Sequence, residues 1–325
     1  MNNKVLIIGG SGQLGIHLAS YLLKKKYKVY ISTRSLNKKS VNKLKEKFSR
    51  LKPTILKLDI YRNINISEVL NKIKPNYIFY FAGQSSVSDS FKKNLETMNS
   101  NYLGCKNVLD QILKLNLNLK FFNANSVEIF GNKRKKISIN TEKNPVSPYG
   151  ISKLKSFNLV KKYRRKYNLS LYNGLLSNCE SYQRPLNFVL PKTCIAALKA
   201  KNDKNLGIIT KFNFGNINVA RDWGWAEEYM KYIWKKINST DEFDFIISTG
   251  KTYTLKELIQ FAFESVNLNW KNHILTNKKL LRKKEIHKVR TLKVDKFKII
   301  KTDGKAIIIK LLKFYKKEKL YLLKN

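Results

Sequence analysis

The 325-residue chain predicts an α/β fold, a doubly wound parallel sheet followed by a smaller C-terminal lobe. Three observations carry that expectation. Short apolar runs alternate with amphipathic stretches up to about residue 175, the pattern of strands covered on both faces by crossover helices. A glycine-rich turn follows the first run directly and opens the first amphipathic stretch. The alternation then loosens after about residue 176.

The elements follow in order. Lys4 to Ile8 reads as a buried strand, and Ile16 onward as the helix behind the glycines. Lys28–Ser32 and Thr54–Leu58 read as the second and third strands, with a helix over Ile66–Ile73 that ends before Pro75. Tyr77–Phe81 is a fourth strand, Asn94–Leu115 a long amphipathic helix and Lys120–Asn125 a fifth strand. Pro148–Tyr167 is a second long helix, with proline at its first turn, and Ser170–Leu175 a sixth strand. Beyond them, helices are expected at Phe188–Lys201, Ala226–Ile237, Leu255–Val266 and around Ile307, with strands at Ile208–Phe214 and Phe243–Ser248. The division is therefore 1–175 for the Rossmann-type domain and 176–325 for the C-terminal lobe, with about 208–250 returning to the first domain.

The net charge is +43, yet only 10 of the 65 basic residues are Arg. Nucleic-acid surfaces favour Arg for its bidentate fork. The lysines are spread over the whole chain alongside 35 Asn, so they read as a solvated coat and a specific nucleic-acid partner is not expected. Such a coat still draws in small anions. Cys105, Cys179 and Cys194 are too far apart for a disulfide framework, which fits a reducing compartment. No apolar run approaches the ~20 residues of a membrane span, and Val5–Ile8 is too short for a signal-peptide core. A cytoplasmic location without a membrane partner follows. His17, His273 and His287 cluster with nothing, so no metal site is expected.

Four constellations carry chemistry. Gly9-Gly10-Ser11-Gly12-Gln13-Leu14-Gly15 lies between a strand and a helix, where backbone N–H groups and the helix N-terminus suit a pyrophosphate. At the end of the second strand an NAD site wants a carboxylate for the ribose hydroxyls. This chain has Arg34 instead, suited to a 2′-phosphate, so NADP is the expected cofactor. Asp59, after the third strand, is placed for the adenine amino group. Tyr149 and Lys153 stand i, i+4 on one helix, where the ammonium lowers the phenol pKa, and Ser126 ends the fifth strand. Glu128 follows two residues later; a dehydratase needs such a base for a carbon-bound proton, whereas a structural glutamate serves equally well in an epimerase.

The chain resembles the extended short-chain dehydrogenases/reductases, and among them the GDP-mannose 4,6-dehydratase family. The stretches that carry the likeness are Gly9 to Gly15, Ala82-Gly-Gln-Ser-Ser-Val with Ser90-Phe91, Ser147-Pro-Tyr-Gly-Ile-Ser-Lys, Asn178-Cys-Glu-Ser with Asn187-Phe-Val, and above all Arg221-Asp-Trp-Gly. They span residues 1 to about 270. The resemblance implies a catalytic set of Ser126, Glu128, Tyr149 and Lys153. It implies a cofactor site at Gly9, Gly12, Gln13, Leu14, Gly15, Arg34, Asp59, Ile60, Ala82, Tyr149 and Lys153, and GDP-sugar contacts at Ser85, Asn178, Asn187, Lys192, Arg221 and Arg282. The sequence departs from the family pattern at Val127, Cys179 and Gln183-Arg184-Pro185. Lysine-rich sequence after Arg34 replaces a Ser- and Asn-rich loop that helps some members form tetramers.

The implied activity is NADP-dependent dehydration of GDP-mannose to the 4-keto-6-deoxy sugar. The implied assembly is at least a homodimer through the helices at 94–115 and 148–167; the tetramer of some members draws on the loop that this chain replaces after Arg34. Two other readings stay open: a sugar-nucleotide epimerase or 4-keto reductase on the same scaffold, and a non-catalytic basic nucleic-acid binder.

Overall fold

The computed structural model describes residues 3–48, 51–133, 135–282, 284–292 and 297–322. They form two units. The first comprises residues 1–131, 139–176 and 229–247, and the second 132–138, 177–228 and 248–325.

The first unit alternates strand and helix. Its elements are β1 (Lys4–Ile8), α1 (Gln13–Lys24), β2 (Lys28–Thr33), α2 (Lys38–Glu46), β3 (Thr54–Lys57), α3 (Asn63–Ile73) and β4 (Tyr77–Tyr80). After them come α4 (Val87–Ser90), α5 (Asn94–Met98), a π-turn at Asn99–Leu103, α6 (Gly104–Lys114), β5 (Lys120–Ser126), α7 (Pro148–Tyr167) and β6 (Leu171–Leu176).

The second unit begins with β7 (Asn178–Glu180), α8 (Val189–Asn205), β8 (Phe212–Phe214) and β9 (Ala220–Trp225). The chain then returns to the first unit through α9 (Ala226–Ser239) and β10 (Asp244–Ile247). It finishes in the second with β11 (Thr252–Thr254), α10 (Leu255–Glu264), β12 (Ile274–Thr276) and α11 (Gly304–Lys317).

The seven strands of the first unit run in the order β10-β6-β5-β4-β1-β2-β3, and every pairing is parallel. Period-2 alternation sends neighbouring residues to opposite faces. Ile78, Tyr80 and Phe121 pack with the apolar stripes of α3 and α6, while Phe79 and Phe122 meet the aromatic set that includes Trp234 of α9.

The second unit holds the three-stranded sheet β11-β9-β7 and the pair β12-β8 over a core from α8, α10 and α11. Two expectations change here. The strand expected at Ile208–Phe214 is confined to Phe212–Phe214, and Ile208 and Ile209 are exposed. The helix expected at Asn94–Leu115 keeps helical backbone from Asn94 to Lys114, but its middle, Asn99–Leu103, widens to a π-turn whose Ser100 carbonyl accepts the Tyr80 hydroxyl at 2.7 Å.

Candidate active site

The glycine turn is shaped by packing on one side and by open space on the other. Gly9 has φ +82°, and a Cβ there would stand 2.5 Å from the Ala82 nitrogen, so only glycine fits. A Cβ on Gly12 would meet only the Gly9 carbonyl oxygen, at 3.4 Å. Backbone approach from outside is therefore open at Gly12. Gly9 N–H donates to the Ser32 hydroxyl at 3.1 Å, tying the turn to β2. Helix α1 starts at Gln13, with Leu14 and Gly15 behind it, without a side-chain cap or an acidic residue in its first turn. The positive dipole end of the helix thus meets no acidic side chain of its own first turn, which suits an anion.

Arg34 is exposed just past β2. Burial raises the Tyr61 phenol pKa, and the nearby Arg34 guanidinium opposes that rise. Arg34 thus lies on the same side as Asp59, Ile60 and Tyr61, which follow β3. The Asp59 carboxylate accepts the Tyr61 N–H at 2.9 Å, and the Ile60 carbonyl accepts Asn107 Nδ2 at 2.9 Å. Tyr61 was not singled out by sequence; an aromatic among lysines and asparagines gives little local signal. Ala82 is half-buried against Gly9, and Ser85 is exposed beside Ser86, whose hydroxyl caps α4.

Ser126, Glu128, Tyr149 and Lys153 come together. Ser126 ends β5, and its Oγ accepts the Glu128 N–H at 3.2 Å, which starts a tight turn over Val127–Phe130. Glu128 is 6% exposed. Helix α7 is capped by Ser147, whose Oγ accepts the Gly150 N–H at 3.0 Å. A Cβ at Gly150 would stand 3.0 Å from the Glu128 carbonyl oxygen, so glycine lets the start of α7 close onto the Glu128 turn. Lys153 is buried one turn later. Its Nζ donates to the Ala124 carbonyl at 2.8 Å and lies 5.8 Å from the centre of the Tyr149 ring. Burial pulls the Lys153 pKa down to about 8.

The second unit carries the remaining candidates. Asn178 pairs in register with Trp223, and Arg221 stands two residues before Trp223, so Asn178 and Arg221 share one face of the sheet. Arg221 is 4% exposed, and its Nη1 donates to the Ala220 carbonyl at 2.9 Å. Lys192 donates to the Asn213 carbonyl at 2.6 Å and lies over the Phe214 ring; burial lowers its pKa. Asn187 is exposed on the turn before α8. Arg282 stands 3.9 Å from the Glu285 carboxylate, and Lys283 of that stretch lies outside the described residues. Sequence reasoning gave Asp222 no role. Its buried carboxylate accepts from Ser177 Oγ, Thr249 N and Oγ1, Gly250 N and Thr291 Oγ1 at 2.7–3.1 Å. Its local signal was an acid in a strand beside two tryptophans, within the Arg221-Asp-Trp-Gly stretch already singled out for its family likeness. Among the described residues no group of three or more His, Cys, Asp or Glu side chains is disposed to hold a metal ion.

Solved structures share this architecture. A dTDP-glucose 4,6-dehydratase from Bacillus anthracis, in complex with NAD, superposes with a TM-score of 0.80 over 98% of both chains at 17% identity. A UDP-glucose 4-epimerase from Thermotoga maritima, with UDP-glucose, gives 0.81 over 97% of this chain and 99% of its own at 18% identity. The fold is that of the extended short-chain dehydrogenase/reductase superfamily, the NAD-dependent epimerases and dehydratases. Sequence narrows the class. The family model described as GDP-mannose 4,6 dehydratase matches residues 6–317. GDP-mannose 4,6 dehydratase 1 of Arabidopsis thaliana is 31% identical over 86% of this chain and 80% of its own length. The Homo sapiens GDP-mannose 4,6 dehydratase is 30% identical over 80% and 72%. The chain belongs to the GDP-mannose 4,6-dehydratase family.

Proposed function

We propose that the protein dehydrates GDP-mannose to the GDP-linked 4-keto-6-deoxy sugar with NADP as cofactor. The observation that carries this reading is the packing of the Tyr149–Lys153 end of α7 against the turn that holds buried Glu128. Tyr149 and Lys153 stand at the start of α7, and buried Glu128 sits on the turn that Ser126 initiates, with Gly150 packed directly onto that turn. Oxidation at C4 and removal of a proton from C5 need separate bases, and this arrangement offers both.

The residues of the first unit fit a dinucleotide. The open side of Gly12 and the uncapped start of α1 suit its pyrophosphate, Arg34 its 2′-phosphate, and Asp59 with Ile60 its adenine. When bound, the nicotinamide supplies a hydride acceptor and donor. The chain's residues supply the proton chemistry. Tyr149 takes the O4 proton, Ser126 orients O4, and Lys153 stabilises the phenolate across the 5.8 Å that separates its ammonium from the ring centre. The ketone at C4 acidifies the C5 proton, which Glu128 removes as hydroxide leaves C6, proton and hydroxide together making the water that is lost. The 6-deoxy product then requires the hydride taken from C4 to be given back at C6 and a solvent-derived proton to be delivered to C5 by Glu128. Asn178, Asn187, Lys192, Arg221 and Arg282 are the groups offered to the nucleotide and its diphosphate, with Ser85 toward the sugar; Arg221 has the fork for a diphosphate.

Incubation with GDP-, dTDP-, UDP- and CDP-sugars tests the reading, with loss of water followed by mass spectrometry. Water loss from GDP-mannose is expected, with solvent deuterium at C5 of the product. Tyr149→Phe should show neither reduced cofactor nor product. Glu128→Gln should lose dehydration by about 10²–10⁴-fold while still reducing bound cofactor. A Glu128→Gln variant that dehydrates at the original rate would overturn the role given to Glu128.

A further inference from the structure

The strand β6 is buried at every position, yet it carries one amide side chain, Asn173. Two more buried asparagines, Asn123 and Asn125, lie on β5. Register places Asn123 beside Asn173, and Asn173 beside Asp244 of β10, so three polar side chains stand at one level across three adjacent strands. Their hydrogen bonds reach α7. Asn173 Oδ1 accepts Asn125 Nδ2 at 2.9 Å and Asn123 Nδ2 at 3.2 Å. Asn173 Nδ2 donates to the Phe157 carbonyl of α7 at 3.2 Å and to Asp244 at 2.9 Å. Asp244 is held by both terminal nitrogens of Arg164, two turns further along α7, at 2.7 and 3.0 Å. Ser156 Oγ lies within 3.3 Å of Asn125 Oδ1 and 3.1 Å of the Lys153 carbonyl.

An apolar row would pack α7 onto the sheet without a preferred direction, and burying amides there is costly unless they are paired. What the row adds is register. Sliding α7 by one residue moves it ~1.5 Å, enough to break the bonds that cross from the strands to α7, those at Ser156, Phe157 and Arg164. Lys153 donates to the Ala124 carbonyl, and Ala124 lies between Asn123 and Asn125, so the register these asparagines set is also the register of that bond. We infer that Asn173 is a positioning residue for the active site, setting α7 against β5 so that Lys153 and Tyr149 face Ser126. The inference rests on the reading of Ser126, Tyr149 and Lys153 as catalytic groups.

The test uses the full chain with Asn173→Leu and, as a smaller change, Ser156→Ala. Competitive acetylation across pH 6–11, with the Lys153 peptide quantified by mass spectrometry, reads the lysine without cofactor or sugar nucleotide. In both variants the midpoint of Lys153 labelling should rise by about one pH unit or more toward the ~10.4 of a solvated lysine, and labelling on the plateau above the midpoint should be several-fold faster. With GDP-mannose, kcat should fall ~10–10²-fold while KM changes less than ~3-fold. An unchanged Lys153 midpoint in both variants, even with a lowered melting temperature, would show that the row is structural only. Failure of the intact protein to convert GDP-mannose would overturn the proposed substrate while leaving the labelling result to judge Asn173.

Discussion

Glu180 on β7 is 2% exposed, with Oε2 lacking a hydrogen-bond partner and lying 3.7 Å from Arg184 Nε. Burial pushes its pKa up to about 7, against the opposing pull of the guanidinium. Between an unfolded value near 4.5 and about 7, the folded state keeps a proton that the unfolded state has released. Stability therefore falls as pH rises through that window and stays low above it. Glu180→Gln should flatten this slope. Denaturant unfolding at pH 8 should find the variant more stable by up to roughly 3 kcal/mol, and no different near pH 4.5. Arg34 gives a second prediction at this scale. Arg34→Ala should weaken NADP binding at least ~10-fold and leave NAD binding almost unchanged, as read by fluorescence titration. Equal losses for both cofactors would remove Arg34 from the 2′-phosphate.

Strand β9 is held at Asp222. Five donors from four residues converge on its carboxylate, joining β9 to the 249–250 turn, to Ser177 and to Thr291. Asp222→Ala leaves those donors unpaired in a buried place. A loss of about 3–5 kcal/mol is expected in urea unfolding, and a loss below about 1 kcal/mol would deny Asp222 that role. The strand also carries Arg221, so the variant should reduce nucleotide affinity as well as stability. Helix α7 is fixed differently. Ser147 caps it and Pro148 fits its first turn, while the buried row at Asn123, Asn173 and Asp244 ties it to the sheet. Local signals start this helix, and buried polar pairs align it.

At the scale of the molecule, charge bears on the homodimer that the resemblance implies. The outward side of α7 exposes Lys155, Lys162, Arg165 and Lys166, with Ile151 and Leu103 of the π-turn exposed beside the helix starts. A homodimer built on α5, α6 and α7 would bring two bodies of charge +43 together. Light scattering at micromolar concentration should give twice the 37.9 kDa chain mass at 0.3 M salt. The dimer should loosen as salt falls to 0.02 M, where screening is weak. A monomer at every ionic strength would dispose of the dimer. Among the described residues no helix is long and apolar enough to cross a membrane.

The sequence by itself determined the parallel α/β sheet, the glycine turn, and the neighbourhood of Ser126, Glu128, Tyr149 and Lys153. Those features are local: an uninterrupted apolar run, glycines at a strand end, a cap with proline behind it, and an i, i+4 pair. Helix α2 escaped because only Leu44 of its nine residues is buried, leaving little apolar period to read. The three-residue strands β7, β11 and β12 escaped because their pairing is made by partners distant in the chain, not by their own pattern. Tertiary structure alone decided what the buried polar residues do. Asn173 and Asp222 look like interruptions in apolar strands until register brings Asn123, Asp244, Ser177, Thr249 and Thr291 to them. Hydrophobic pattern states which face is buried. Which donor meets which acceptor depends on strand order and register, and those are fixed only when the chain has closed its long-range contacts.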